Sequence, residues 1–445
     1  MSKRILLKSG KIVNEGAIKE LDILIVDGRI ERIEREISDA AADEVIELNG
    51  KYVLPGCIDD QVHFREPGLT HKATIATESR AAVAGGITSF MEMPNTVPSA
   101  VTIEKLEDKY VIASQSSIAN YSFYLGTTNH NVEEIKRLNP QEICGVKIFM
   151  GSSTGDMLVD DPKALEGIFQ NAPSIITTHC EDDPMIKENF QKYFKEYGDD
   201  LPARFHPIIR SEEACYKSSS YAVSLARKFN SRLHILHIST AKELELFSND
   251  IPLNEKRITA EACIHHLWFS DKDYDTKGNF IKWNPAVKKE SDREAIWNAV
   301  NTNVIDVIAT DHAPHTLEEK NQSYAKAPSG GPLVQHALLA MLEQMKAGRI
   351  TLEKIVEKMA HHPAILFKMV DRGFIREGYF ADLVVLNEAP HTVTRDNLLY
   401  KCGWSPFEGE KFSYSIDSTF VNGNLVYKDG KIIEGSLGRR LNFNQ

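Results

Sequence analysis

Short runs of apolar residues recur through the middle of the chain, and longer stretches with helical periodicity separate them. Apolar runs that helices separate are typical of a parallel sheet buried on both faces, and eight such units favour closure into a barrel. A doubly wound sheet is the alternative. The eight predicted strands are Leu54 to His63, Gly86 to Met93, Ser122 to Gly126, Gly145 to Ile148, Ile175 to His179, Leu233 to His237, Ile258 to Glu261 and Ile305 to Thr310.

Both ends of the chain show a different pattern, with short β segments and tight turns. Asp27-Gly28 and Asn422-Gly423 are strong hairpin signals. Neither end is large enough for a good core of its own, so we expect the two to pack together. The sequence therefore predicts an α/β fold: a TIM-type (β/α)8 barrel over residues 54–367, and a small β-sandwich domain formed by both termini, residues 1–53 plus 368–445.

Composition narrows the class of partner. The net charge of −11 and the pI near 5.8 argue against nucleic acid and against an anionic membrane, and favour a small-molecule substrate. The six cysteines lie far apart without a CxxC pair, which is typical of a reducing compartment. No stretch approaches the length of a membrane span, and the N-terminus lacks the features of a signal peptide. We expect a cytoplasmic protein.

Polar side chains stand at the ends of several predicted strands. In a barrel, the carboxyl ends of the strands form the active-site face. The first strand places Gln61, His63 and Arg65 on one side by its period of two. The fourth contains Lys147 between apolar residues, and a buried ammonium must lower its pKa, find a partner or change chemically.

Three further strands end in residues that bind metal. His179, His237 and Asp311 follow the fifth, sixth and eighth strands. Neutral imidazole and carboxylate are the usual ligands of zinc, and catalytic sites leave one position for water. So many polar groups at one end of a barrel would be costly without a bound ion, so we predict a metal site. We interpret three other histidines as core residues: His234, His265 and His266.

The chain resembles the dihydroorotases of the amidohydrolase superfamily over essentially its whole length. The resemblance rests on the motifs Val62 to Gly68, Gly85 to Thr88, Met93 to Thr96, Thr310 to His315 and Gly378 to Leu383. It implies a zinc-dependent hydrolase that interconverts dihydroorotate and N-carbamoyl-L-aspartate in pyrimidine biosynthesis. It also implies one or two zinc ions, with a CO2-derived carboxylate on Lys147.

The same resemblance implies residue roles. His63, Lys147, His179, His237 and Asp311 would be the metal ligands, and Asp311 would also carry the proton. The expected substrate contacts are Arg65, Asn95, Asn284, His315, Ala327 and Pro328. Arg65 offers a planar fork for a carboxylate, which favours an anionic ring over an uncharged cyclic ureide. The alternative for Arg65 is an ion pair with Glu66 or another acidic neighbour.

One position departs from the pattern. The usual motif of the first strand is His-x-His, and Gln61 takes the place of its first histidine. An amide oxygen is a poorer zinc ligand than imidazole. Three outcomes remain open: a weakly held outer zinc, a single-metal enzyme, or a non-catalytic scaffold subunit. A hydantoinase or allantoinase is the alternative enzyme, and a homodimer is the expected assembly.

Overall fold

The computed structural model describes residues 3–151 and 155–445. Antiparallel pairing of the first three strands creates the N-terminal part of a sheet, and Asp27-Gly28 forms the predicted hairpin between the second and third. Both turn residues have positive φ, at 49° and 85°, which a tight two-residue hairpin requires. The N-terminal strands are β1 (Arg4–Asn14), β2 (Ala17–Val26), β3 (Arg29–Glu34), β4 (Glu44–Glu47) and β5 (Tyr52–Pro55).

Eight parallel strands follow in the next part of the chain, and each pairs with its neighbour in sequence. This confirms the predicted TIM-type barrel. The predicted strand Leu54 to His63 is in fact two strands, because β5 belongs to the sheet of the termini. Gly56 separates them, and a Cβ there would lie 2.1 Å from Thr88 Oγ1. The barrel strands are β6 (Cys57–Val62), β7 (Ile87–Glu92), β8 (Asn120–Gly126), β9 (Gly145–Phe149), β10 (Ile176–His179), β11 (Leu233–Ile235), β12 (Ile258–Cys263) and β13 (Val307–Ala309).

The barrel closes where β13 meets β6. The backbone N–H of His63 donates to the carbonyl of His312 at 2.7 Å. The Asp59 carboxylate accepts hydrogen bonds from the hydroxyl of Thr310 at 2.6 Å and from its backbone N–H at 3.2 Å. Since both contacts join the carboxyl ends of these two strands, they bring Gln61 and His63 next to Asp311.

Helices connect the barrel strands and begin at residues that cap them. Thr74, for example, forms a capping box with Thr77, and Gly85 caps the C-terminal end of that helix. None of the helices within the described ranges has both the length and the apolar character of a membrane span. The α-helices are α1 (Ile75–Ala84), α2 (Ile103–Ser116), α3 (Val132–Lys136), α4 (Pro162–Asn171), α5 (Asp183–Tyr197), α6 (His206–Ile209), α7 (Glu212–Phe229), α8 (Ile264–Trp268), α9 (Tyr274–Lys277), α10 (Glu290–Asn301), α11 (Leu317–Lys320), α12 (Ala337–Lys346), α13 (Leu352–Val356) and α14 (His362–Phe367).

Shorter helical turns fill several of the connections. A π-helical turn, Glu357–His361, joins α13 to α14. The 3-10 turns are Asp39–Ala41, Gly155–Met157, Gly198–Asp200, Ala203–Phe205, Lys242–Leu246, Asp271–Asp273, Gly278–Ile281 and Arg395–Asn397.

The C-terminal strands complete the sheet that the N-terminus begins. β14 pairs antiparallel with β5, so the sheet runs from β19 to β14 and on through β5, β1, β2 and β3. It encloses its own apolar core, in which Ile23, Leu383 and Phe420 are buried. Strands from both termini therefore form one sheet that flanks the barrel, as the predicted fold class requires, while the bounds of the two domains stay a prediction. These strands are β14 (Leu383–Asn387), β15 (His391–Thr392), β16 (Lys411–Phe412), β17 (Ser415–Val421), β18 (Asn424–Lys428) and β19 (Lys431–Ile432), of which β15 and β16 form a separate ribbon.

Candidate active site

A cavity of about 640 Å³ opens at the carboxyl ends of the barrel strands. All the predicted site residues line it except Ala327. The carbonyl of Ala327 accepts a hydrogen bond from Lys282 Nζ at 2.5 Å. The predicted residues in the lining are Gln61, His63, Arg65, Asn95, Lys147, His179, His237, Asn284, Asp311, His315 and Pro328, and the others are Leu69, Lys72, Thr96, Val97, Ser99, Phe149, Trp283, Ala313, Ser329 and Gly330.

The inner half of the site consists of His179, His237 and Lys147. One carboxylate contacts the ring of the first histidine, and another contacts the backbone of the second. His179 Nε2 donates to Glu181 Oε2 at 2.9 Å, which leaves its Nδ1 lone pair 3.0 Å from His237 Nε2. Arg210 also donates to Glu181 and, with His179, holds the pKa of that carboxyl below its ordinary value despite burial. Glu261 accepts from the backbone N–H of His237 at 2.9 Å. Burial lowers the pKa of both histidines, so both are in the neutral form that binds metal.

Lys147 lies beside these histidines and is 1 % exposed. Its Nζ is 4.7 Å from the centre of the Phe149 ring. Burial lowers the pKa of Lys147 to about 8, and the charges of Asp311 and Glu261 oppose part of that effect. A substantial fraction of this amine is therefore neutral near pH 8, which is the form that can react as a nucleophile.

The outer half is hydrogen-bonded within itself. His63 Nε2 and Gln61 Nε2 both lie 3.2 Å from the same atom, Asp311 Oδ1. His63 Nδ1 donates to Asn95 Oδ1 at 2.8 Å, which directs the lone pair of Nε2 towards Asp311. The amide oxygen of Gln61 lies 3.6 Å from the sulfur of Cys263, whose one proton is nearer to Glu261 Oε1 at 3.1 Å. Gln61 therefore has a protein group at each end of its amide.

Asp311 sits at the junction of the two halves. Burial raises its pKa to about 7, and the nearby positive charge of Lys147 is the main effect that opposes this rise. A carboxyl group with a pKa near the working pH can both take up and release a proton, as a general acid and base must.

Arg65, Lys72 and His315 form one wall of the cavity, with Glu319 beside Lys72. Arg65 donates through Nε to the Pro314 carbonyl at 3.0 Å, and its Nη2 lies 3.1 Å from His315 Nε2. Lys72 Nζ is 3.0 Å from His315 Nδ1. Burial lowers the pKa of Arg65 only to about 10, so it keeps its charge at neutral pH. Glu66 accepts instead from the backbone of the first residue of α1, so the pair of Arg65 with Glu66 is not seen among the described contacts.

Backbone strain concentrates at this site. Arg65, His237 and Asp311 have φ values of 69°, 42° and 49°, in the left-handed region that non-glycine residues rarely adopt. The loop after Arg65 also needs a glycine, because Gly68 has a φ of 84° and a Cβ there would lie 2.0 Å from the Val97 carbonyl oxygen. These conformations aim three predicted site residues into the cavity.

Several contacts of the site were not predicted from sequence. Lys72 has no strand position that would mark it, and Arg210 is 29 residues from its partner Glu181. Among the histidines interpreted as core residues, His265 stacks on Trp283 with centroids 4.4 Å apart. His266 Nε2 lies 3.1 Å from the carbonyl oxygen of Pro285, which agrees with a core role.

The predicted ligands fit a metal ion. His63 Nε2, His179 Nδ1 and His237 Nε2 are imidazole nitrogens of neutral rings, and an Asp311 oxygen lies within 3.2 Å of the first. His179 Nδ1 and His237 Nε2 lie 3.0 Å apart and share a hydrogen bond, and an ion bound by both lone pairs would take the place of that hydrogen bond. The set of donors is that of zinc and similar divalent ions.

Comparisons with known proteins place this geometry in a family. The amidohydrolase family matches residues 52–426. A dihydroorotase of Pyrococcus abyssi is 33% identical over 435 residues, which cover 97% of each chain. An allantoinase of Bacillus velezensis is 31% identical over 439 residues, which cover 97% of this chain and 95% of the relative.

A solved structure gives the same result. The L-hydantoinase (dihydropyrimidinase) of Arthrobacter aurescens superimposes with a TM-score of 0.91 at 26% identity, and the match covers 98% of each chain. The expected resemblance to dihydroorotases is confirmed, while relatives with three different substrates show only that cyclic amides are hydrolysed. The chain therefore belongs to the amidohydrolase family and is a hydrolase of cyclic amides.

Proposed function

We propose that the protein is a zinc-dependent dihydroorotase, which interconverts dihydroorotate and N-carbamoyl-L-aspartate in pyrimidine biosynthesis. The observation that carries the proposal is the buried guanidinium of Arg65 in the cavity wall, 7 % exposed and beside His315. Dihydroorotate bears a carboxylate on its ring, whereas hydantoin and allantoin are uncharged there. A buried fork of N–H donors suits that carboxylate.

Other groups near Arg65 support an anionic substrate. Lys72 also lines this side of the cavity, where it pairs with Glu319 at 3.0 Å and contacts His315. Asn95 engages His63 through its carbonyl oxygen, so its amide N–H2 group remains to donate to an anion. Asn284 lines the cavity, and its Oδ1 has no hydrogen-bond partner among the described residues. That oxygen is suited to accept from a ring N–H.

Zinc and the modified lysine are part of the proposal. His179, His237 and a carboxylated Lys147 would hold the inner ion, with His63 and Asp311 facing an outer position. Carboxylation of Lys147 by CO2 would turn a buried cation into an anion, and its lowered pKa supplies the neutral amine that this reaction needs. When bound, zinc supplies Lewis acidity, which activates water and polarises a carbonyl group.

The residues of the chain position the substrate and move its proton. Arg65, Asn95 and His315 orient the carboxylate so that the ring amide faces Asp311. In the hydrolytic direction, water adds to the amide carbon and the ring C–N bond breaks. Asp311 takes the proton from the attacking water and delivers it to the leaving nitrogen. The reverse reaction uses the same groups in the opposite order.

The second candidate is a hydrolase of uncharged cyclic ureides, which the allantoinase and hydantoinase relatives favour. The test compares dihydroorotate, hydantoin and allantoin as substrates of the zinc-loaded protein. We expect dihydroorotate to give the highest kcat/KM. A preference for hydantoin or allantoin would replace the first proposal with the second, and zinc-replete protein without turnover on any of them would favour the non-catalytic scaffold.

Arg65→Gln tests the observation that carries the proposal. Removal of one partner of a buried, hydrogen-bonded charge pair costs about 2 to 5 kcal/mol, so kcat/KM for dihydroorotate should fall at least about 30-fold. Activity on uncharged ureides should not fall in parallel. Arg137→Gln is the control, because the Arg137 side chain is 70% exposed. An equal loss on charged and uncharged substrates would contradict the assigned role.

The location and the assembly stay predictions. All six cysteines are free thiols, a state that a reducing compartment such as the cytoplasm maintains. A homodimer is expected, and its mass in solution would be measured by light scattering.

A further inference from the structure

A second group of metal-binding side chains lies inside the barrel, apart from the predicted ligands. It consists of Asp60 on β6, His234 on β11 and Glu261 on β12, and all three are fully buried. His234 Nε2 is 3.2 Å from Asp60 Oδ2 and 3.9 Å from Glu261 Oε2. One ligand atom from each residue lies within 4.8 Å of the others.

The atoms that face one another in this group have no hydrogen-bond partner outside it. Within the described part of the chain this holds for His234 Nε2, Glu261 Oε2 and both carboxylate oxygens of Asp60. The other oxygen of Glu261 is satisfied, since it accepts from the backbone of His237 and from the Cys263 thiol. Buried polar atoms are normally paired, so three buried side chains that have only one another as partners at a common point need an explanation.

The hydrogen bond on the far side of His234 sets its tautomer. Thr259 Oγ1 donates its one proton to the carbonyl of Leu233 at 3.2 Å, so towards His234 it acts as an acceptor. His234 Nδ1 lies 2.8 Å from that oxygen and therefore carries a hydrogen. In the neutral ring, Nε2 then presents a lone pair to two carboxylates. Metal-binding histidines typically donate their second N–H in this way.

The charges of the group favour a cation. Burial would lower the pKa of His234, but the carboxylates of Asp60 and Glu261 raise it to about 9, so the position attracts positive charge. Burial also raises the pKa of Glu261 to about 7, so protons and a divalent ion compete for the same three side chains. A divalent ion with a neutral His234 brings their net charge to zero, and burying a net charge is costly.

We propose that Asp60, His234 and Glu261 bind a divalent metal ion of the zinc or manganese class, separate from the catalytic centre. Ligands at about 2.0 to 2.2 Å from one ion lie roughly 3 to 4 Å from one another. The separations of 3.2 and 3.9 Å from Nε2 match that range. Since Glu261 also accepts from the backbone of His237, the ion would fix the strand end that carries this predicted ligand.

Metal counting in a chain without the predicted catalytic ligands tests the proposal. His179→Asn and His237→Asn are combined, the protein is loaded with Zn²⁺, and unbound metal is removed by gel filtration. We expect about one zinc ion per chain to remain, and Asp60→Asn in the same background to remove it. Asp306→Asn is the matched control, because Asp306 is also a buried aspartate but pairs with Lys256 at 2.7 Å. It should leave the zinc count unchanged.

Two results would overturn the proposal. One is a zinc count near zero in the double variant, and the other is a count that Asp60→Asn does not lower. Anomalous diffraction at the zinc edge on crystals of the unchanged protein gives an answer that does not depend on how any variant folds. A peak about 2.0 to 2.2 Å from His234 Nε2 and Glu261 Oε2 is expected. No peak there would mean that a proton on His234 fills the position. Neither measurement depends on which cyclic amide is hydrolysed.

Discussion

The two halves of the candidate site use similar side chains in different ways. In the inner half, Glu181 holds the ring of His179 from behind and Glu261 holds the backbone of His237, and the two rings approach to 3.0 Å. In the outer half, Gln61 and His63 both contact Asp311 Oδ1 directly. A carboxylate behind the ring orients an imidazole ligand for a cation, whereas the amide of Gln61 is a poorer ligand and already donates to Asp311.

This difference bears on the number of metal ions. A cation at the inner position meets two neutral imidazoles. The second ring nitrogen of His179 already donates to Glu181, so this ring is held in place. A cation at the outer position must displace the amide N–H of Gln61 from Asp311, and Gln61 offers only an amide oxygen, which is a poorer ligand than imidazole. We therefore expect the inner ion to be bound more tightly than the outer one. The following predictions test that order.

Removal of Lys147 should have the largest effect. Lys147→Ala deletes the proposed carboxylate ligand of the inner half, so we expect loss of bound zinc and a fall in kcat on the order of 10³-fold. The readouts are zinc content and turnover of dihydroorotate. Lys147→Met fills similar space without a nitrogen and separates lost packing from lost chemistry. Full activity in either variant would rule out the carboxylated lysine.

Weakening the support of an inner histidine should have an intermediate effect. Glu181→Gln keeps the shape of the side chain but removes the charge that orients His179, and loss of such a partner typically costs 10- to 100-fold in metal affinity or activity. Zinc affinity measured by competition with a chelator checks this. Glu166→Gln, at a half-exposed position on α4, serves as the control. Equal affinity in both variants would show that Glu181 does not support the site.

Restoring a histidine in the outer half should have the smallest effect on turnover. Gln61→His supplies the imidazole that the amide replaces, so zinc content should rise by up to about one ion per chain, with a change in kcat of less than roughly tenfold. Gln61→Asn is the control that changes the side chain without adding a ligand. If Gln61→His binds no more zinc than the unchanged protein, the amide at position 61 is not what weakens the outer metal position.

Much of the fold could be predicted from the apolar pattern. Seven of the eight predicted barrel strands match observed strands within two residues at each end, because continuous apolar runs reflect burial on both faces. The exception was the run from Leu54 to His63, where the sheet of the termini takes the first part. Gly56 marks that break, but a single glycine within an apolar run does not by itself show that the chain changes sheets.

The site was predictable where residues stand at strand ends. His63, His179 and Asp311 follow from that rule, since parallel strands place their carboxyl ends together. Contacts from loops were not predictable, because the position of Lys72 depends on a loop conformation that sequence periodicity does not describe. The same holds for the partners of His234, which was interpreted as a core residue. Its burial and its bond to Thr259 agree with that, but Asp60, one of its two carboxylate neighbours, lies on the first barrel strand, far away in sequence.

The closure between β6 and β13 has a consequence for the newly synthesised chain. Asp59 and Thr310 are 251 positions apart. At about 5 to 20 residues per second, the ribosome needs roughly 12 to 50 s to pass from one to the other. During that interval the parallel sheet has two open edges, to which other strands can bind. The outer half of the site, divided between the first and the last barrel strand, can therefore assemble only after Asp311 has been synthesised, later than the inner half.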